Sequence, residues 1–107
     1  MVTLAYKIKS DFLKALAHPL RLQIIELLKG QERKAGDLVR ALGIPQSSLS
    51  RHLLALREAG ILRARPQGTV IFYAVEDKAI FKVLRPIAEL LRNKLKKTAT
   101  VLDSLGK

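Results

Sequence analysis

Cysteine is absent from this 107-residue sequence, and the single methionine is Met1. The lack of cysteine excludes disulfide bonds, thiolate metal sites, iron–sulfur clusters, a cysteine nucleophile and thiol redox switches. No apolar run reaches the roughly 18 residues that a membrane span needs, and the first residues lack the basic region followed by an apolar region that marks a secretory signal. We therefore expect a cytoplasmic protein that does not cross a membrane.

Acidic residues are scarce, because 9 Asp and Glu oppose 20 Lys and Arg and the net charge is +11. The basic excess is spread along the whole chain. A strongly positive electrostatic field favours a polyanionic partner. Nucleic acid is the first interpretation and an anionic membrane surface is the second. A basic chain with no polyanionic target is the alternative. The length and the 49% of hydrophobic residues indicate one globular domain.

Signatures of catalysis and of metal binding are missing as well. The sequence has no Ser paired with a base and an orienting acid, no clustered carboxylates, no phosphate-binding P-loop and no glycine-rich dinucleotide motif. The two histidines are His18 and His52, and each is more typical of a structural or DNA-facing residue, because a tight zinc site needs several nitrogen or sulfur ligands together. We expect no enzyme, no cofactor and no metal site.

The first two predicted helices follow from apolar periodicity. Apolar residues between Leu4 and Leu16 recur at the spacing of an amphipathic helix, with lysines between them. Pro19 fits the first position of a second helix, which Gly30 ends. The second helix is so apolar that it is predicted to be the most buried element.

Two shorter helices are predicted next. The third covers about residues 35–42 and stops at Gly43. The fourth starts at Pro45 or Gln46, because proline is pre-organised for a first helical turn, and it runs to Gly60. The two helices therefore meet across a three-residue turn.

A β-hairpin and a last helix complete the prediction. Residues 61–65 alternate, Pro66-Gln67-Gly68 is a turn signal, and residues 69–75 are a β-branched and aromatic run. Asp77 is a candidate cap of the last helix, whose apolar spacing continues to the end of the chain. Pro86 is expected to kink this helix or to restart it.

The order of helix, short turn, helix and basic hairpin predicts a mainly α fold with a small β-hairpin, the winged helix-turn-helix. In this fold the second helix of the pair enters the major groove of DNA. Three leucines of that helix would face the core, so its polar side chains would face outward; a merely solvated helix face is the alternative. The candidate DNA-contacting residues are Gln46, Ser47, Ser48, Ser50, Arg51 and His52 on the helix and Arg63, Arg65, Gln67, Gly68 and Thr69 in the wing.

Three stretches carry a resemblance to a known family: residues 15–28, residues 46–62 and residues 68–73. The most specific part is Ser-x-His-Leu followed by Leu-Arg-Glu-Ala-Gly-Ile-Leu, which ends at Leu62. In these stretches, and over roughly residues 10–95 as a whole, the sequence resembles the ArsR family of bacterial and archaeal transcriptional repressors.

The resemblance implies a homodimer that binds an operator palindrome and is released by a metal ion or another inducer. It assigns residues 46–58 to the recognition helix and residues 62–75 to the wing. The sequence departs from the family where metal sensors commonly hold their ligands: residues 33–38 offer no thiolate, and Ala79 replaces a histidine near the start of the last helix. Pro45 also stands where a Ser or Thr often caps the recognition helix.

We expect a single DNA-binding domain over residues 1–107, with residues 1–17 and 77–107 as dimerisation helices. The last helix carries more apolar residues than a small winged domain can cover alone; a long helix folding back on its own core is the alternative. The expected interface residues are Leu4, Ile8, Phe12, Ile80, Leu84, Ile87, Leu91 and Leu95.

The expected function is sequence-specific DNA binding by a transcription regulator that acts as a repressor. The expected partners are double-stranded DNA and a second copy of the chain, with no membrane partner, and the inducer is unknown. The alternative is a non-specific architectural nucleic-acid-binding protein, or a protein-interaction module, with the same fold.

Overall fold

The structure is a computed structural model that describes residues 2–106, with side chains from Thr3 onward. The chain forms two compact units, one up to Asp77 and one from Lys78. The first unit contains α1 (Val2–Leu16), α2 (Pro19–Leu27), β1 (Arg33–Lys34), α3 (Ala35–Leu42), α4 (Gln46–Glu58), β2 (Leu62–Gln67) and β3 (Val70–Val75), and the second contains α5 (Ile80–Leu105). The predicted mainly α class with a small β-hairpin is confirmed.

The start of α2 is capped by a histidine side chain. His18 has an extended backbone at the N-cap, and its Nδ1 accepts a hydrogen bond from the backbone N–H of Leu20 at 3.1 Å. Pro19 occupies the first helical turn, as predicted. The helix ends at Leu27 rather than at Gly30, because residues 28–30 form a turn in which Gly30 takes a φ of +77°.

The core of the first unit lies between α2, α3 and α4. Its fully buried large side chains are Ile24, Ile25, Leu38, Leu49 and Leu56. Burying each of these side chains contributes about 1.5–3 kcal/mol. Because two of them belong to α4, the packing fixes which side of α4 faces outward.

The sheet has three strands in the order β1-β3-β2, and all neighbours are antiparallel. The hairpin of β2 and β3 was predicted, whereas β1 was not. Strand β1 consists only of Arg33 and Lys34, which pair with Tyr73 and Phe72. Two charged residues show no alternation of apolar and polar side chains that would predict a strand. The strand forms because these residues pair with β3.

Helix α5 differs from the prediction at its start. The helix begins at Ile80 with Ala79 at the N-cap position, two residues after the predicted candidate Asp77. Residues 78 and 79 form a turn, in which the Phe81 N–H donates to the Lys78 carbonyl at 3.1 Å. The helix continues through Pro86 without a restart. Within residues 2–106, the structure contains no helix that is both long and apolar enough to span a membrane.

Candidate nucleic-acid interface

The turn between α3 and α4 sets the direction of α4. Gly43 ends α3 with a φ of +65°, and its N–H donates to the Val39 carbonyl at 2.8 Å. Pro45 then stands in an extended conformation at the N-cap of α4, where its side chain makes no capping hydrogen bond. Since no side chain of Pro45 covers the first N–H groups of α4, this helix end keeps the donors and the partial positive charge that attract phosphate.

Helix α4 presents most of its predicted DNA-contacting residues to solvent. Gln46, Ser47, Ser50 and Arg51 are exposed, and Ser48 is half-buried. The opposite side of the helix is buried through the leucines of the core. The structure therefore brings these polar side chains together on the outer side of the first two turns.

His52 lies differently from the other predicted residues. Its ring is half-buried and stands 4.4 Å from the ring of His18, measured between centroids. The Arg21 Nε donates a hydrogen bond to His52 Nδ1 at 3.1 Å, and the same guanidinium donates to the Ala15 carbonyl at 3.2 Å. His52 thus faces the junction of α1 and α2, so this geometry does not favour the predicted base contact.

The surroundings of His52 favour its neutral form. Burial, followed by the nearby charges of His18, Arg21 and Arg51, lowers the pKa of His52 below its usual value. A neutral ring can accept the hydrogen bond from Arg21 at Nδ1. Arg21 thus ties α2 to α4, a role that no pattern in the sequence indicated.

The wing is formed by β2 and β3. Gly68, at its tip, has a φ of +63°, so a side chain at this position would strain the turn. Arg63, Gln67 and Thr69 are exposed, as predicted for DNA-contacting residues. The wing tip is therefore free to approach a second molecule.

Arg65, the other basic residue of the wing, is bound within the chain. Its Nη2 lies 2.6 Å from Glu32 Oε1, and its Nη1 donates to Gln67 Oε1 at 2.9 Å. The hydrogen bond from Arg65 lowers the pKa of the Glu32 carboxyl, which therefore stays ionised at neutral pH. No pattern in the sequence indicated Glu32 as the partner of Arg65.

A groove of about 490 Å³ joins α3, α4 and the wing. Gln46 and Ser50 line it from α4, and Thr69 lines it from the wing. Lys34 and Arg40 add two basic groups that the sequence analysis did not single out, and Arg40 also pairs with Asp37. The groove is thus lined by amide, hydroxyl and cationic groups from β1, α3, α4 and the wing, and these are chemical groups that can bind base edges and phosphates.

Metal-binding geometry is not found in the described part of the chain. Residues 2–106 contain no group of three or more His, Asp or Glu side chains placed to hold a metal ion. The groups gathered around α4 and the wing are instead donors and cations, which suit phosphate oxygens and base edges.

Comparison with known proteins assigns a family to this architecture. The family model described as bacterial regulatory protein, arsR family, matches residues 18–64. An uncharacterized HTH-type transcriptional regulator of Mycobacterium tuberculosis, Rv0081, is 37% identical over 101 residues, which are 94% of this chain and 89% of the relative. The transcriptional repressor PagR of Bacillus anthracis is 35% identical over 82 residues, or 73% of this chain and 82% of PagR.

Solved structures agree with the sequence comparison. The crystal structure of Rv0081 superposes with a TM-score of 0.81 at 35% identity, covering 89% of this chain and 96% of that one. A second similar structure is the solution structure of a homodimeric winged helix-turn-helix DNA-binding domain from Mycobacterium bovis, a possible ArsR-family regulator. Its TM-score is 0.78 at 26% identity, and the match covers 89% of this chain and 88% of that chain. The predicted winged helix-turn-helix fold is thereby confirmed.

Proposed function

Because this chain belongs to the arsR family of bacterial regulatory proteins and is a transcriptional regulator rather than an enzyme, we propose that it represses transcription by binding operator DNA as a homodimer in the cytoplasm. The observation that carries the proposal is the outward polar side of α4, with no side-chain cap at Pro45, beside an exposed wing tip. A net charge of +11 supplies the attraction to the DNA backbone.

Helix α4 is the recognition helix in this proposal. Arg51 and Gln46 are the side chains best suited to read base edges, because arginine pairs with guanine and glutamine with adenine in the major groove. The small side chains of Ser47 and Ser50 let the helix approach the groove closely. Arg63, Gln67 and Thr69 of the wing contact the DNA backbone.

The dimer is formed by residues 1–17 and 77–107 of a single DNA-binding domain over residues 1–107. The support is exposed apolar surface on both helices: Leu4 and Ile8 of α1 are 60% and 61% exposed, and Leu95 of α5 is 67% exposed. Ile87 and Leu91 are exposed as well, whereas Phe12 and Leu84 are half-buried. Ile80 is only 7% exposed in the single chain, so it has little surface left for the interface in which it was expected.

The proposal is tested by selecting duplex DNA from a random-sequence pool and measuring the affinity for the recovered sequence against mixed-sequence DNA. A repressor of this kind should prefer the recovered site by at least about 10³-fold, and the site should be a palindrome with half-sites about one helical turn apart. Equal affinity for all sequences would instead support the architectural role, and no binding to DNA would support the protein-interaction module.

A further inference from the structure

Arg65 lies in a cross-strand row on one face of the sheet. In the sheet register, Phe72 of β3 is opposite Arg65 on one side and opposite Lys34 on the other. The Arg65 guanidinium lies over the Phe72 ring, 4.7 Å from its centroid. The face of the guanidinium is therefore occupied by an aromatic ring.

Glu32 occupies the edge of the same guanidinium. Its carboxylate accepts from Nη2 at 2.6 Å and from Nε at 3.2 Å, which is a bidentate arrangement. Glu32 precedes β1 while Arg65 lies in β2, and β3 separates these strands. The pair therefore bridges the whole width of the sheet.

The remaining terminal nitrogen of Arg65 points along the wing. Its Nη1 donates to Gln67 Oε1 at 2.9 Å, next to the turn at Gly68. Each nitrogen of the guanidinium thus donates one hydrogen bond within the chain, which uses three of its five N–H groups. A DNA phosphate would therefore meet an arginine whose charge is already paired with Glu32. This arrangement differs from the open DNA contact that the sequence alone predicted for Arg65.

The pair is too exposed to contribute much to overall stability. The side chains of Arg65 and Glu32 are 47% and 37% exposed, and exposed ion pairs are worth little because water and salt screen them. The contacts instead fix the geometry of the wing, because Arg65 connects Glu32, directly before β1, with Gln67, directly before the turn at Gly68.

We propose that Glu32 and Arg65 are positioning residues that hold the wing tip in its DNA-binding orientation, and that Arg65 makes no phosphate contact of its own. The inference rests on the proposed DNA-binding function. If only electrostatic repulsion acted, replacing the acidic Glu32 near polyanionic DNA should raise the affinity for DNA. If Glu32 positions the wing, its replacement lowers affinity.

The test measures binding to a fluorescein-labelled duplex of about 30 base pairs, long enough for two half-sites, between about 50 and 200 mM KCl. The variants are Glu32→Gln, Arg65→Gln and the double variant, with Arg63→Gln as the matched control from the same strand. We expect each single variant to bind about tenfold more weakly, and the double variant to bind no more weakly than either, because the two residues act as one unit.

The salt dependence separates positioning from phosphate contact. The log–log slope should be unchanged in Glu32→Gln and Arg65→Gln, whereas each lost phosphate contact reduces it by about 0.9, as expected for Arg63→Gln. Tighter binding by Glu32→Gln, or a reduced slope in Arg65→Gln, would overturn the inference and make Arg65 a phosphate contact that Glu32 opposes.

A second readout needs no DNA. In the free protein, the ¹⁵N heteronuclear NOE at Gly68 and Thr69 should fall in Glu32→Gln and in Arg65→Gln but not in Arg63→Gln. Unchanged values in all three variants would refute the positioning role. If the unaltered protein does not bind DNA, the proposed function fails, while this comparison still decides whether the pair positions the wing.

Discussion

The imidazole rings of His18 and His52 lie 4.4 Å apart at a 50° tilt, and they join the N-cap of α2 to the recognition helix. Each ring uses Nδ1 as an acceptor, His18 from the Leu20 N–H and His52 from the Arg21 Nε. Protonation of His52 at Nδ1 removes the acceptor for Arg21 and places a cation beside Arg21 and Arg51. The hydrogen bond between Arg21 and His52 therefore requires an unprotonated Nδ1 on His52.

Stability should accordingly fall in mild acid. Because the pKa of His52 is lower in the folded chain than its ordinary value of 6.5, the unfolded chain binds the proton more tightly. The contribution of His52 to the free energy of unfolding is therefore present above about pH 6.5 and is lost as the pH falls through the lowered pKa. Urea unfolding at a series of pH values measures this dependence.

His52→Asn is the matched control, since its Oδ1 can replace Nδ1 as an acceptor but does not titrate. In this variant, the free energy of unfolding should decrease less between pH 7 and pH 5 than it does in the unaltered protein. An identical pH dependence in both proteins would show that His52 does not control it.

Sequence specificity should depend on Arg51. Arg51→Ala should cost roughly 1–3 kcal/mol of binding free energy and relax the preference at one position of each half-site, because a bidentate contact with guanine is lost. Arg63→Ala should weaken binding to all sequences alike, since a backbone contact carries no sequence information. Competition binding against single-base variants of the selected site distinguishes the two effects, and a uniform loss for Arg51→Ala would assign it to the backbone.

Dimer formation should depend on the exposed apolar side chains of α5. Leu91 and Leu95 are 50% and 67% exposed in the single chain, so Leu91→Glu or Leu95→Glu would place a charge in the proposed interface. Sedimentation at micromolar concentration should give about twice the 11.9 kDa chain mass for the unaltered protein and a monomer for these variants. Leu54→Glu, at a leucine of α4 that is 52% exposed, is the control and should remain a dimer.

Much of the fold could be predicted from the sequence because its helices carry regular apolar patterns, and because Gly43 marks the end of α3. The orientation of His52 was also encoded, since Leu49, His52, Leu53 and Leu56 share one helical stripe at positions i, i+3, i+4 and i+7. Strand β1 had no such signal, because its two charged residues pair with strand residues about 40 positions away in the chain. The contact between Glu32 and Arg65 likewise joins positions that only the folded sheet brings together.

DNA binding should be insensitive to thiophilic metals and to oxidants. Arsenite, cadmium and mercury need thiolate ligands, and peroxide sensing needs a reactive sulfur, but the sequence has no cysteine and its one methionine is Met1. Zinc should bind weakly at most, since within residues 2–106 the structure shows no cluster of three metal-binding side chains.

The measurement is fluorescence anisotropy of the protein bound to labelled duplex DNA, titrated separately with zinc, cadmium, arsenite and hydrogen peroxide at micromolar levels. The anisotropy should stay constant with each of them, because the chain offers no thiol and the described residues offer no cluster of metal ligands. Stoichiometric release by zinc would contradict the prediction and point to a site completed across the dimer, in which carboxylates such as Asp77, Glu89 and Asp103 combine with a histidine of the second copy. Substituting these carboxylates one at a time would then locate the site, since only true ligands should abolish the release.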